Sequence, residues 1–171
     1  KMFVYNSHMR KVPVQARSRA MVERILEAAS VVLHRDGIQS FGTRSVADQA
    51  RISVGSLYQY FADKDSLLQA MGERLSQRIQ VQLTEVLPSL SRANSRDFIR
   101  ILIESMIDML DRDGGRDLTL IRHWKALNLS QDVGSVERVL MQYVEMFANT
   151  QPLLRSMPDR QRTLYICMNA V

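Results

Sequence analysis

Apolar side chains recur at every third or fourth position along nearly the whole chain, and the residues that break helices fall between those stretches, not inside them. The 171 residues include only 7 glycines and 4 prolines. No Val/Ile/Thr alternation is long enough to propose a strand, and no internal repeat is visible. The pattern therefore predicts an all-α chain with short connections. A first helix is expected over about 16–34, with Val22, Ile25, Leu26, Ala29 and Leu33 on one stripe and Gly37 ending it. A short helix begins at Thr43, read as its N-cap, and turns Val46, Ala47 and Ala50 inward. Ser53 caps a second short helix through about Tyr60, and Asp63 caps a long fourth helix that ends near Leu87, before Pro88. Further helices are expected at about 95–112, 117–127 and 133–149, and after Pro158, giving about eight. The helix at 95–112 is apolar over more than one face, so a central position is expected for it.

Charge divides the chain unevenly. Residues 1–64 hold ten basic and five acidic side chains, whereas residues 65–171 hold equal numbers, so the whole net charge of +5 lies in the first third. Such asymmetry points to a polyanionic partner. Hydrophobic residues make up 46%, enough for a sizeable core, which excludes global disorder. A single cysteine, Cys167, forms neither an internal disulfide nor a thiolate metal cage and fits a reducing, cytoplasmic setting. No uncharged apolar run is long enough to span a membrane. Asn6-Ser7-His8-Met9 reads as an expression-vector junction, which places the native start near Met9. The last helical pattern reaches Val171 without a stop signal and reads as truncated.

The most informative stretch is Thr43–Leu68, TRSVADQARISVGSLYQYFADKDSLL. Two short helices, a three-residue turn and a capped long helix make a helix-turn-helix arrangement. Ala47 and Ala50 let the two short helices approach, and Leu57 and Phe61 clamp the second. The outward face of that second helix then carries Val54, Gly55, Ser56, Tyr58, Gln59 and Tyr60, with Ser53 at its start. The face has no acid and is small at its N-terminal end, so it suits the major groove, where such residues meet base edges. Thr43, Tyr58, Tyr60 and Lys64 are expected at phosphates, and Arg44 at phosphate or guanine. Aromatic packing is the competing reading of the two tyrosines. Arg17, with Arg10, Lys11 and Arg19, forms an acid-free arm for backbone or minor groove, or simply a solvated basic terminus.

These residues resemble the DNA-binding domain of the TetR family of bacterial transcription regulators. The resemblance rests on Thr43, Val46, Ala47, Ala50, Gly55, Leu57, Tyr58, Tyr60, Phe61, Lys64 and Leu67, with Ile25, Leu26, Ala29 and Gly37 of the first helix. It covers about residues 17–68; beyond them only helix number and spacing match. One position departs: where the family commonly has Ala-Gly-Val-Ser in the turn, this chain has Ala50-Arg51-Ile52-Ser53. An arginine at a positive-φ position costs about 1 kcal/mol.

The resemblance implies a helix-turn-helix domain over 9–64 and a helical domain over 65–171 for effector binding and dimerisation. It further implies a homodimeric repressor that binds pseudo-palindromic double-stranded DNA and is released by a small apolar or amphipathic effector. By the same resemblance the last two helices pair with their counterparts in a four-helix bundle. Met71, Met106, Met109, Trp124, Tyr143 and Phe147 are the residues placed to line an effector cavity, against the simpler reading of adaptable core side chains.

Enzymatic chemistry finds little support. His8, His34 and His123 are scattered, and no nucleophile elbow, phosphate-binding loop or metal-ligand spacing occurs, so neither cofactor nor metal is expected. His34 reads as a last-turn partner of the helix dipole. Asp108, Asp111, Asp113 and Asp117 flank Gly114-Gly115 and read as a solvated acidic loop. The rivals to a ligand-responsive repressor are a constitutive or nucleoid-associated DNA-binding protein and a protein-interaction module.

Overall fold

The first apolar stripe forms helix α1, Ala16–Ser40, in which Val22, Ile25, Leu26, Ala28, Ala29, Val32 and Leu33 are buried. The computed structural model describes residues 9, 15–90, 93–123, 141–142, 145 and 148–149. The helices expected at 133–149 and after Pro158, the arm residues Arg10 and Lys11, and both presumed chain-end features lie outside the described residues, wholly or in large part. Gly37, at φ 72° and ψ 172°, interrupts α1, so the expected stop becomes a kink followed by one more turn. That turn brings Phe41 into the core.

Helices α2, Thr43–Ala50, and α3, Val54–Tyr58, follow. Thr43 is not the N-cap: Gly42 holds that position, and its carbonyl accepts from Val46 N (3.1 Å) and Ser45 Oγ (2.8 Å). Arg51 ends α2 in the left-handed region at φ 54° and ψ 49°, the only positive-φ residue other than glycine among the described residues. Its N–H bonds Ala47 and Asp48 carbonyls, and Ile52 N donates to Ala47 O at 3.0 Å. The left-handed cost is therefore offset only by turn hydrogen bonds that glycine would make equally well. Arg51→Gly is expected to stabilise the fold by up to about 1 kcal/mol, less the extra chain entropy of glycine. Thermal denaturation checks it, and a lower melting temperature would contradict the strain assignment.

Ser53 caps α3 as expected, its hydroxyl accepting from Ser56 N at 3.0 Å. α3 ends two residues sooner than its pattern, because Tyr60 N and Phe61 N both return to Leu57 O at 2.9 and 3.0 Å. Helix α4, Lys64–Leu90, starts with a reciprocal cap: Asp63 Oδ1 accepts from Ser66 N at 2.7 Å, and Ser66 Oγ accepts from Asp63 N at 3.1 Å. α4 runs past Pro88, since buried Leu90 packs with Phe98 and holds the last turn in place. At 27 residues it is about 40 Å long, enough to reach from the head to this second cluster.

Helix α5, Ser95–Asp111, is capped by Asn94 and lies beside α4, whose buried Gln82 donates through Nε2 to Ser105 Oγ at 3.1 Å. It is not central. Ile99, Ile103 and Ile107, four residues apart on one stripe, are 58%, 54% and 51% exposed. Helix α6, Arg116–His123, packs against α1 through Leu120. A single apolar cluster joins α1, α2, α3 and α4 and continues to Met109 and Leu120. No strand occurs among the described residues, apart from one isolated bridge between Met9 and Phe61. The architecture is all-α, with three short-linked helices docked on the start of a long fourth.

Candidate nucleic-acid interface

The turn geometry fixes α3 on α2 and leaves one side of it outward. Leu57 and Phe61 are fully buried, so the alternating surface of α3 carries Gly55, Tyr58 and Gln59 as exposed residues and Val54 and Ser56 as half-buried ones. No acid occurs from Arg51 to Ala62. The structure joins two of the expected phosphate ligands: Thr43 Oγ1 and Tyr58 Oη lie 3.2 Å apart across α2 and α3. Each hydroxyl has remaining capacity to donate or accept, so the pair forms one polar point beside exposed Arg44. Ser53 and Ser56 form a second pair, Oγ to Oγ at 2.8 Å.

Gly55 is informative. A Cβ built there would meet only Ser53 Oγ, at 3.8 Å, and its φ is not positive. The fold therefore makes no use of the missing side chain. Helical glycine costs roughly 0.5–1 kcal/mol relative to alanine. A bare spot on an exposed, acid-free helix is suited to close approach by a surface outside the chain.

The surroundings of four expected residues differ from that outward face. Lys64 turns back onto α1: its Nζ donates to Ile38 O at 3.1 Å and stands 5.8 Å from the Phe41 ring centroid. It straps α4 to the end of α1, with two ammonium protons left for an anion. Tyr60 and Val54 pack partly against the core, in keeping with the packing alternative for Tyr60. Arg17 stands exposed in the first turn of α1.

Of the cavity residues, Met71 and Met109 are buried in the cluster that also holds Leu120, as gap-filling methionines are, and Met106 is half-buried on α5. Trp124, Tyr143 and Phe147 lie outside the described residues. Among the described residues no three His, Cys, Asp or Glu side chains gather as for a metal ion, and no helix is long and apolar enough to cross a membrane.

The acidic loop is corrected in part: Asp108 and Asp111 are exposed as expected, but Asp113 is half-buried and Asp117 buried, where Arg78 of α4 reaches them at 3.3 and 2.6 Å. His34 bonds outside its own helix, with Nδ1 2.9 Å from Thr119 Oγ1 of α6. Arg74 pairs with Glu23 and Glu27 of α1, and Arg116 pairs with Glu27. No local sequence signal could have found this network, since its partners lie up to 89 positions apart.

Residues 25–71 match the family model described as bacterial regulatory proteins, tetR family. The chain is 33% identical over 57 residues to the HTH-type nicotine-responsive transcriptional repressor HdnoR of Paenarthrobacter nicotinovorans, covering 33% of this chain and 29% of that protein. It is 31% identical over 91 residues to an uncharacterized HTH-type transcriptional regulator in the dhlA 5′ region of Xanthobacter autotrophicus, covering 53% and 45%. The chain thus matches less than half the length of either relative. Among solved structures it is similar to the multidrug binding protein EbrR complexed with imidazole, with a TM-score of 0.52 and 24% identity over 87% of this chain and 80% of that one.

Proposed function

We propose, from the match of residues 25–71 to the tetR family model, that the chain is a cytoplasmic, ligand-responsive repressor of that family, not an enzyme. Residues 9–64 serve as the DNA-reading head, and residues 65–171 serve as the effector and dimerisation domain. Two heads in a two-fold dimer place their α3 helices about 34 Å apart, one turn of DNA, so the operator is pseudo-palindromic. The observation that carries this reading is the exposed α3 face, free of acid and bare at Gly55.

Ser53, Ser56 and Gln59 meet base edges, and the Thr43–Tyr58 pair with Lys64 holds phosphates. Arg17 reaches the flanking backbone, Arg44 a phosphate or a guanine, and Tyr60 supports the face from behind. An effector lodged near Met71, Met106 and Met109, with Trp124, Tyr143 and Phe147, acts by binding one arrangement of the heads better than another. The tilt of α4, continuous from head to second domain, carries that difference. The relative named as nicotine-responsive and the neighbour named as multidrug binding support a small organic effector.

Selection of duplexes from a random pool tests the reading. A pseudo-palindrome with half-sites one turn apart is expected; uniform weak binding to every duplex would favour the constitutive rival instead. Side-chain roles divide further. Lys64→Ala weakens all duplexes alike and lowers the slope of log affinity against log salt by about one, with some loss of stability from the broken Ile38 bond. Arg44→Ala and Ser56→Ala instead change which operator positions matter. Anisotropy titrations at several salt concentrations check this, and like behaviour of all three would remove the division.

A further inference from the structure

Two carboxylates and one guanidinium meet where the head, α4 and α6 join. Arg78 NH1 lies 3.3 Å from Asp113 Oδ2 and 2.6 Å from Asp117 Oδ2. Asp113 Oδ2 also accepts from Asp117 N at 3.1 Å, so the acids sit side by side at the start of α6. Asp117 is only 7% exposed. Asp113 Oδ1 and Asp117 Oδ2 are buried without a hydrogen-bond donor; the close Asp117–Arg78 approach is a charge contact outside hydrogen-bond geometry.

The surrounding charges do not balance the pair. α1 presents Glu23 and Glu27, α4 presents Arg74 and Arg78, and α6 presents Arg116. Arg74 and Arg116 are engaged by the two glutamates, and Arg116 Nε also donates to Asp113 O at 2.7 Å. Arg112, the remaining base of the turn, is exposed and reaches Gln82 instead. Among the described residues, Asp113 and Asp117 thus share the single guanidinium of Arg78. A buried excess anion is costly, and one proton removes it.

We propose that the Asp113–Asp117 pair with Arg78 is a proton-binding latch that sets how α6 docks on α1, and through α1 where the reading head lies. The link to DNA rests on the function proposed above; the latch itself does not. With the proton bound, the acids share a hydrogen bond and hold the start of α6 against α4. Without it, they repel, and α6 loosens from its contacts with α1, the His34–Thr119 bond and the Arg116–Glu27 pair.

Two directions of titration fit. Burial pushes the Asp117 carboxyl up to about 6, with Arg78 opposing the rise and Asp113 adding to it. Burial also raises Glu27, but the guanidiniums of Arg116 and Arg74 outweigh it and leave that carboxyl below its ordinary value. Glu27 therefore stays ionised while the aspartate pair takes its proton. The unfolded chain protonates such an aspartate only near about 3.9. Folding therefore gains stability from Asp117 as pH falls from above 6 toward 4.

The test uses the full chain and Asp117→Asn, a neutral mimic of the protonated acid. Between pH 7.5 and 5.0 the melting temperature of the parent should rise by roughly 3–5 °C relative to that of the variant. Should the variant fold poorly, the carboxyl ¹³C titration of Asp117 in the parent decides alone: a midpoint below pH 5 overturns the latch. Spin labels at Arg24 and Arg122, in a Cys167→Ser background, should give a narrower distance distribution at pH 5.0 than at 7.5, and no change when Asp117→Asn is added. Titration near pH 6 with no change in that distribution also overturns it. Operator affinity is measured at both pH values. If no duplex binds at either, the DNA reading fails, while the label distances still decide the latch.

Discussion

Phe61→Ala removes about 3–5 kcal/mol of folding free energy, the cost of deleting a fully buried aromatic ring and leaving its cavity. Phe61 lies in the cluster shared by α1, α2, α3 and α4, together with Val46 and Ala47. Its N–H fixes the turn after α3 by bonding Leu57 O at 3.0 Å, and its backbone bridges to Met9. The loss falls at the one junction where the second short helix meets the long one, so the cluster has little freedom to collapse. Against a typical total of 5–15 kcal/mol this is a large share. The melting temperature should fall by roughly 6–20 °C. Phe61→Leu, which keeps most of the apolar volume, should lose much less. Circular dichroism melts of both variants measure it, and a loss under about 1 kcal/mol for the alanine variant would mean that the ring is not the keystone of the head.

The features legible in the sequence were those decided within a few residues. Ser53 and Asp63 cap because each needs only a backbone N–H three positions on. The stripe of α1 is buried as its spacing requires, and Arg51 takes the positive φ expected at that turn. Features decided by distant partners were illegible. Thr43 is not a cap because the helix starts one residue earlier, with Gly42 as N-cap, and its hydroxyl meets that of Tyr58, fifteen residues on. Lys64 belongs to Ile38 and Phe41 because the α1 kink at Gly37 delivers them to it. Asp113 and Asp117 looked solvated because nothing in the local pattern points to Arg78, which a separate helix brings in. α5 looked central because periodicity counts apolar residues but does not say which face finds a neighbour; Ile99, Ile103 and Ile107 remain exposed. The outward, acid-free face of α3 was legible in the sequence, but not the hydroxyl pairs and the lysine strap around it.

Gly55→Glu should raise the stability of the free protein and weaken operator binding roughly a hundredfold. The two effects have separate causes. The added Cβ meets only Ser53 Oγ at 3.8 Å, so no atom of the fold must move. Glutamate is a better helix former than glycine by roughly 0.5–1 kcal/mol. On a bound duplex, however, the same carboxylate faces phosphates. At about 6 Å and an effective dielectric of about 20, one such pair repels by roughly 2–3 kcal/mol, which is the hundredfold. Gly55→Ala separates charge from bulk: it should share the gain in melting temperature and lose far less affinity. Raising salt should partly restore binding by the glutamate variant, because exposed charges are screened. Melts and anisotropy titrations on the selected operator provide both numbers. If the glutamate variant binds as tightly as the parent, α3 does not enter the groove and the face must serve another partner. If it melts at a lower temperature, Gly55 is needed by the fold, and its bareness is no longer an argument about DNA.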